Sequence, residues 1–243
     1  MLALGIDTMR DALSIALVET AGRTTRLVGS WREERDAGRT APEQLRAMID
    51  RHCTQRPDAV ASALPGAQVS HRVLRLPFSD PARLAATVPF ELESLVPFDV
   101  ESGVIAFAVL ERDGAGATVL AAIAQRRDVR DHLETLADAG IDPAVVDVGL
   151  LAVASLLRPR GDDVLLVEPR EDGGVCVLRA GRPTALRIVD GADDDADTAR
   201  ELRWAALALL EEDRPQPPVL LAAPAETSRS LGAAFGGETL ALA

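Results

Sequence analysis

One order of elements occurs twice in this chain: three short strands joined by turns, then a helix, then one more strand. The first copy reads Leu2–Ile6, Leu13–Val18 and Arg26–Trp31, a helix after Thr40, and a strand over Asp58–Leu64 closed by Pro65-Gly66. Thr40 and Glu43 have capping-box spacing, Pro42 falls in the first helical turn, and Leu45, Met48 and Ile49 recur at helical intervals. In the second copy the strands are Val164–Val167, Val175–Arg179 and Thr184–Val189, with turns at Asp172–Gly174 and Ala180–Pro183. A helix over Asp197–Glu211 with Leu202, Ala206, Leu209 and Leu210 on its apolar side follows, then strand Val219–Ala223 and a short helix after Pro224. A meander followed by a helix and a further strand calls for a mixed sheet flanked by helices, so the repetition restricts the chain to a doubled α/β architecture.

Between the copies lies a piece with its own order, strand-helix-strand-strand-helix: Val69–Leu76, a helix from Asp80, Val104–Arg112, Thr118–Ala124 and Asp128–Ala139. Asp80 supplies a cap, Pro81 takes a first-turn position, and Leu84, Val88, Leu92 and Leu95 recur at helical spacing. Pro89 falls inside this helix, which predicts a bend near Ala85–Pro89 with Phe90, Leu92 and Phe98 buried around it. Strand Pro143–Val148 and helix Gly149–Leu157 then lead into the second copy. The expected division is 1–65 plus 141–162 as a first subdomain, 66–140 as an inserted α/β subdomain, and 163–243 as a second subdomain.

Composition removes several chemistries. All 26 basic residues are arginine, so no Walker-type phosphate lysine, Schiff-base lysine or lysine general base exists. The net charge of −12, with no tyrosine, two tryptophans and five phenylalanines, excludes the basic, aromatic-lined surface that nucleic acid requires. Acids concentrate toward the C-terminus: residues 1–64 are neutral, 65–140 carry −4 and 141–243 carry −8. Such a surface steers basic proteins and repels anionic headgroups. Cys53 and Cys176 have no metal or redox spacing and read as structural thiols. The N-terminus lacks a basic leader, and the longest apolar run, Val148–Leu157, is far short of the ~20 residues that span a bilayer.

The specific motifs are Leu64-Pro-Gly66, Leu76-Pro-Phe78, Val88-Pro-Phe-Glu-Leu-Glu93 and Val96-Pro-Phe-Asp99, in that order. This set resembles the actin-like superfamily of PilM and the type II secretion system protein L, whose insert carries a similar pattern. Leu4-Gly-Ile-Asp7, Val145-Val-Asp-Val148 and Val164–Val189 are similar in order to that superfamily's two core halves. The resemblance implies a duplicated ribonuclease H-like (actin-like) core with an inserted strand-helix-strand-strand-helix subdomain.

Actin-like ATPases hold nucleotide phosphates on two D-x-G-[ST] loops, where glycine admits the phosphates to backbone N–H groups and the aspartate positions magnesium. Here the first loop is Asp7-Thr-Met9-Arg10, and a long Met9 side chain at the glycine position is expected to obstruct the phosphate. The second is Glu168-Pro169-Arg170-Glu171-Asp172, with glutamate for aspartate, a proline that removes a donor, and three carboxylates facing a triphosphate. The adenosine-side loop, Leu221-Ala-Ala-Pro-Ala-Glu226, lacks the family's glycines. Asp7, Met9 and Glu168 are thus vestigial positions, with no nucleotide, cofactor or metal expected and no catalytic residue.

Such loss is similar to the cytoplasmic domain of type II secretion protein L, a pseudo-ATPase scaffold at the inner face of the bacterial inner membrane. The resemblance implies as partners the N-terminal domain of a secretion or pilus ATPase and another inner-membrane assembly protein, with a homodimer possible. It also implies membrane attachment only through segments outside this chain, as the cytoplasmic portion of a longer protein. An ATP-binding, PilM-type pilus assembly protein is the alternative.

Other constellations read as structural. Asp7 with Glu93 or Asp147 would suit a metal-dependent ribonuclease H-like nuclease, but a chain at −12 attracts a polyanion poorly. The acidic run Asp190–Asp197 fails the EF-hand pattern at Ala192 and Asp195 and reads as a solvated loop. His52, His71 and His132 have no metal spacing. Glu91 and Glu93 cannot share one helix face, and are expected to cap or pair so as to hold the insert on the core.

Overall fold

The computed structural model describes residues 1–22, 24–157, 162–170, 172–189, 195–210, 215–223, 227, 231, 235 and 239–241. They form two compact units, residues 1–65 with 126–149 and residues 66–125 with 150–243.

The first unit holds a five-stranded sheet of order β3-β2-β1-β4-β8. Its strands are β1 (Leu2–Thr8), β2 (Ala12–Ala21), β3 (Thr24–Glu34), β4 (Ala59–Leu64) and, beyond the insert, β8 (Val145–Val148). β1, β2 and β3 are an antiparallel meander, while β4 runs parallel to β1 and β8 parallel to β4. Period-2 alternation sends Leu4, Ile6, Leu13, Ile15 and Leu17 to one face, where α1 (Ala41–His52) and α3 (Arg126–Asp138) contribute Leu45, Met48 and Leu136. α1 begins as its sequence prescribes: Glu43 N–H donates to Thr40 Oγ1 at 3.4 Å and Thr40 N–H to Glu43 Oε2 at 2.9 Å. Helix α3, which the sequence assigns to the inserted piece, packs within this first unit. Arg46 of α1 donates to the Asp138 and Ala139 carbonyls, satisfying the C-terminal end of α3.

The second unit contains two sheets. One repeats the first unit's topology, with order β11-β10-β9-β12-β13: β9 (Val164–Glu168), β10 (Gly174–Arg179) and β11 (Arg182–Ile188) form the meander, and β12 (Val219–Leu221) and β13 (Thr239–Ala241) are the parallel strands. Here both faces are covered. Leu165, Val167, Val175 and Val177 pack on Leu202, Ala205 and Ala206 of α5 (Asp195–Leu209), whereas Leu166, Cys176 and Leu178 pack on Leu150, Ala154 and Leu157 of α4 (Gly149–Leu157). Burial on both faces explains why these strands are uninterrupted apolar runs. The sequence reading places no strand near the C-terminus; β13 is three residues long and is held by parallel pairing to β12. The short helix expected after Pro224 falls largely outside the described residues, although Leu231 and Phe235, four apart, are both buried in the α5 core.

The other sheet, order β5-β7-β6, is the insert, with strands β5 (Val69–Leu76), β6 (Gly103–Asp113) and β7 (Gly116–Gln125). Helix α2 (Pro81–Glu93) covers one face with Leu84, Val88 and Leu92, each 0% exposed. The helix runs through Pro89. Burying three large side chains at ~2 kcal/mol each outweighs the ~3 kcal/mol an interior proline costs. Phe90, expected in the core, is 73% exposed. It sits two residues from Leu92 and so, at 100° per residue, points away from the Leu84-Val88-Leu92 stripe. Leu95, expected to extend that stripe, lies past the helix end and is 40% exposed. Phe98 is partly buried against this core, as expected.

Candidate functional site

β1 and β2 meet in a tight hairpin whose turn is the first of the three loops. Met9 N–H donates to the Ala12 carbonyl at 2.9 Å, closing it. The Met9 side chain does not project as an obstruction: it is 6% exposed, and its Sδ lies 3.3 Å from Arg32 Nη1. Arg32 also reaches the Asp11 carboxylate at 3.2 Å, and Arg35 N–H donates to the Asp11 carbonyl at 2.7 Å. The loop is therefore fastened to β3 from beneath, and methionine supplies buried contact where a phosphate-binding loop has a bare glycine.

Asp7 is half-buried at the end of β1, level with Ser14 on β2 and Ala63 on β4. Nearby, His132 of α3 and Ser62 of β4 form a buried pair, Nε2 to Oγ 3.0 Å. Burial pushes the His132 imidazole below its usual range, and the Asp7 charge partly opposes this. The pair joins elements 70 residues apart and has no sequence motif.

The second loop connects β9 to β10. Glu168, at the magnesium-aspartate position, is 3% exposed, and its Oε1 lies 2.6 Å from Arg170 Nε. Gly173 N–H donates to the Arg170 carbonyl at 2.9 Å, and Val189 N–H to the Gly173 carbonyl at 3.1 Å. A Cβ on Gly173 would fall 2.2 Å from the Glu168 carbonyl oxygen, so glycine there serves the loop's own closure. Asp172, at φ +55°, accepts from Ala67 N–H at 3.0 Å. The three-carboxylate expectation is thus modified: Arg170 neutralises Glu168, Asp172 ties the insert's first residues to the loop, and Glu171 lies outside the described residues. In the third loop Ala222 N–H donates to the Val167 carbonyl at 2.8 Å; residues 224–226 lie outside the described residues. In the second loop the Glu168 carboxylate faces Arg170, and in the first loop the buried Met9 stands at the position where a glycine is expected.

Asp7 and Asp147 do not converge on a shared metal. They share a sheet row with Ala63 between them, two strand spacings or ~10 Å apart. Asp147 Oδ1 accepts from Val148 N–H at 2.8 Å. No cluster of three metal-ligating side chains occurs among the described residues. In the acidic run, residues 190–194 lie outside them. His52 stacks on Trp31 with ring centroids 4.4 Å apart. His71 of β5 is pushed down to about 4 by burial and by the Arg72 charge. Cys53 is half-buried and Cys176 buried, both as free thiols.

Glu91 and Glu93 depart from expectation. Both are exposed, and neither makes an ion pair or hydrogen bond among the described residues, so they do not hold the insert to anything. The α2 cap is Asp80, which accepts from Arg83 N–H at 2.9 Å.

Two sheets of identical order, one carrying a three-stranded insert after its fourth strand, define the actin-like fold. The chain shares it with the PilM–PilN type IV pilus biogenesis complex (TM-score 0.81, 20% identity, 99% of this chain and 88% of that chain). It shares it also with the cytoplasmic domain of EpsL, an inner-membrane component of the Vibrio cholerae type II secretion system (TM-score 0.60, 18% identity, 92% and 83%). A Bacteroides thetaiotaomicron protein of actin-like ATPase fold and unknown function is a third (TM-score 0.61, 10% identity, 99% and 90%). No curated protein sequence matches the chain significantly. The profile of the family described as type IV pilus assembly protein PilM matches residues 35–160, just over half of the sequence, and the chain belongs to that family.

Proposed function

We propose that this protein is a nucleotide-independent scaffold of a type IV pilus or type II secretion platform at the cytoplasmic face of the inner membrane. In this role it recruits the assembly's ATPase and holds a second, PilN-type inner-membrane protein, and it performs no catalysis of its own. The observation that carries the reading is the Glu168–Arg170 contact at 2.6 Å, in which the protein's own guanidinium stands beside the carboxylate an ATPase would use for magnesium. Membership of the PilM family supports the platform role, and the likeness to a PilM–PilN complex supports the partner. Among the described residues no helix is long and apolar enough to cross a membrane. The acidic C-terminal part, −8 over residues 141–243, favours a basic protein surface on the ATPase.

The test is calorimetry of this chain with the cytoplasmic segment of the PilN-type protein and with the ATPase N-terminal domain from the same genome, each with and without Mg²⁺-ATP. The expected result is saturable binding of both, unchanged by nucleotide. Binding of neither, or binding that requires ATP, would overturn the proposal.

A further inference from the structure

The outer face at the end of α2 breaks three local rules. Phe90, at 73%, is the most exposed large apolar side chain among the described residues. Glu91 and Glu93 occupy the last turn of the helix, where the macrodipole is negative and a carboxylate is disfavoured. The helix has no basic residue of its own in that turn, and the guanidinium beside the helix end, Arg72 of β5, donates to the Leu95 carbonyl at 2.8 Å rather than to either glutamate. Leu95, just past the helix end, adds a second exposed apolar side chain at 40%. None of these groups serves the insert's stability, because its core closes on the opposite stripe of Leu84, Val88 and Leu92. Local conflicts that the fold does not repay concentrate at functional surfaces.

We infer that Phe90 and Leu95, with Glu91 and Glu93 on opposite flanks of Phe90, form a docking patch for a protein segment that offers an apolar socket flanked by arginine or lysine. An exposed aromatic beside unpaired charges has the make-up of an interface anchor with a polar rim. Arginine is especially suited, since it can pair with a carboxylate and lie over the Phe90 ring. The sign of the charge excludes the other occupants. A second copy docking through the same patch would oppose four carboxylates in an isologous contact, and an anionic membrane surface would repel the two present here. The patch lies wholly on the insert and owes nothing to the nucleotide loops.

The test places a photoreactive benzoylphenylalanine at position 90 of the full chain in its native cells and maps the crosslinked residue after irradiation. A control carries the same group in place of Leu27, a 59% exposed residue on β3. The expected adduct is to a protein segment with at least two basic residues beside an apolar one. Its yield should fall about fivefold in Glu91→Gln/Glu93→Gln, the loss of two rim ion pairs. Both glutamates are exposed and disfavoured at the helix C-terminus, so that variant should melt at or slightly above the wild-type temperature, which separates lost docking from lost folding. Adducts to lipid, to a second copy or to a segment lacking basic residues overturn the inference. So does an undiminished yield in the double variant, or a yield no higher than at position 27. A basic-segment adduct to a protein outside any pilus or secretion assembly upholds the patch and removes the platform reading. Absence of any basic-segment adduct from position 90 in the otherwise wild-type chain, with PilN-type binding intact, removes the patch alone.

Discussion

Removing Arg170 tests how the second loop is held. The Glu168 side chain is 4% exposed and that of Arg170 30%, so the carboxylate is the desolvated partner and the guanidinium keeps one side in water. Breaking a fully buried pair by deleting one member costs ~3–5 kcal/mol. With Arg170 partly solvated, Arg170→Ala should cost less, about 2–3 kcal/mol at pH 8. For a chain of this length that corresponds to a fall in Tm of roughly 4–12 °C. Urea unfolding in a Trp31→Phe background reads this specifically, because Trp204 on α5 then reports alone from the unit that contains Glu168. The double variant Glu168→Gln/Arg170→Met should recover most of the loss. A single variant within about 0.5 kcal/mol of the parent would show that the contact does not hold the loop.

Three further outcomes follow from the same structure. In His71→Leu the acid sensitivity of the insert should diminish: an imidazole lowered from 6.5 to about 4 contributes stability above pH 6.5 that is lost as pH falls toward 4, roughly 3 kcal/mol in all, measurable as the difference in unfolding free energy between pH 7 and pH 4. Gly116→Ala should be severely destabilising, by about 3 kcal/mol or more in urea melts, because φ is +148° and the new Cβ would lie 1.9 Å from the Leu76 carbonyl oxygen. Thr40→Ala should cost about 1 kcal/mol by removing one arm of the α1 capping box, read as a lowered urea midpoint with unchanged m-value.

What the sequence discloses depends on how far apart the interacting groups lie. The Thr40–Glu43 box and the Leu84-Val88-Leu92 stripe are legible because each is local and has a physical period. The doubled meander is legible for the same reason, since turn residues and alternation set each hairpin. Phe90 shows the limit of reading apolar residues as core: its offset of two from Leu92 already places it on the outer face, but the surrounding run of apolar residues hides this. Arg170 stands among acids in the sequence, and only a closed turn brings its guanidinium onto Glu168. The Ser62–His132 pair, the packing of α3 on α1 and the pairing of β13 with β12 are contacts between distant segments. No local pattern encodes them. Within the site, the positions of Asp7, Met9 and Glu168 were legible, whereas the inward course of Met9 and the arginine beside Glu168 were not.

The most direct test of a nucleotide-independent scaffold is a calorimetric titration of the purified chain with Mg²⁺-ATP. The account predicts no saturable heat up to millimolar nucleotide. Saturable heat at micromolar affinity, abolished by Glu168→Gln, would contradict it and make the protein an ATP-binding member of the PilM family.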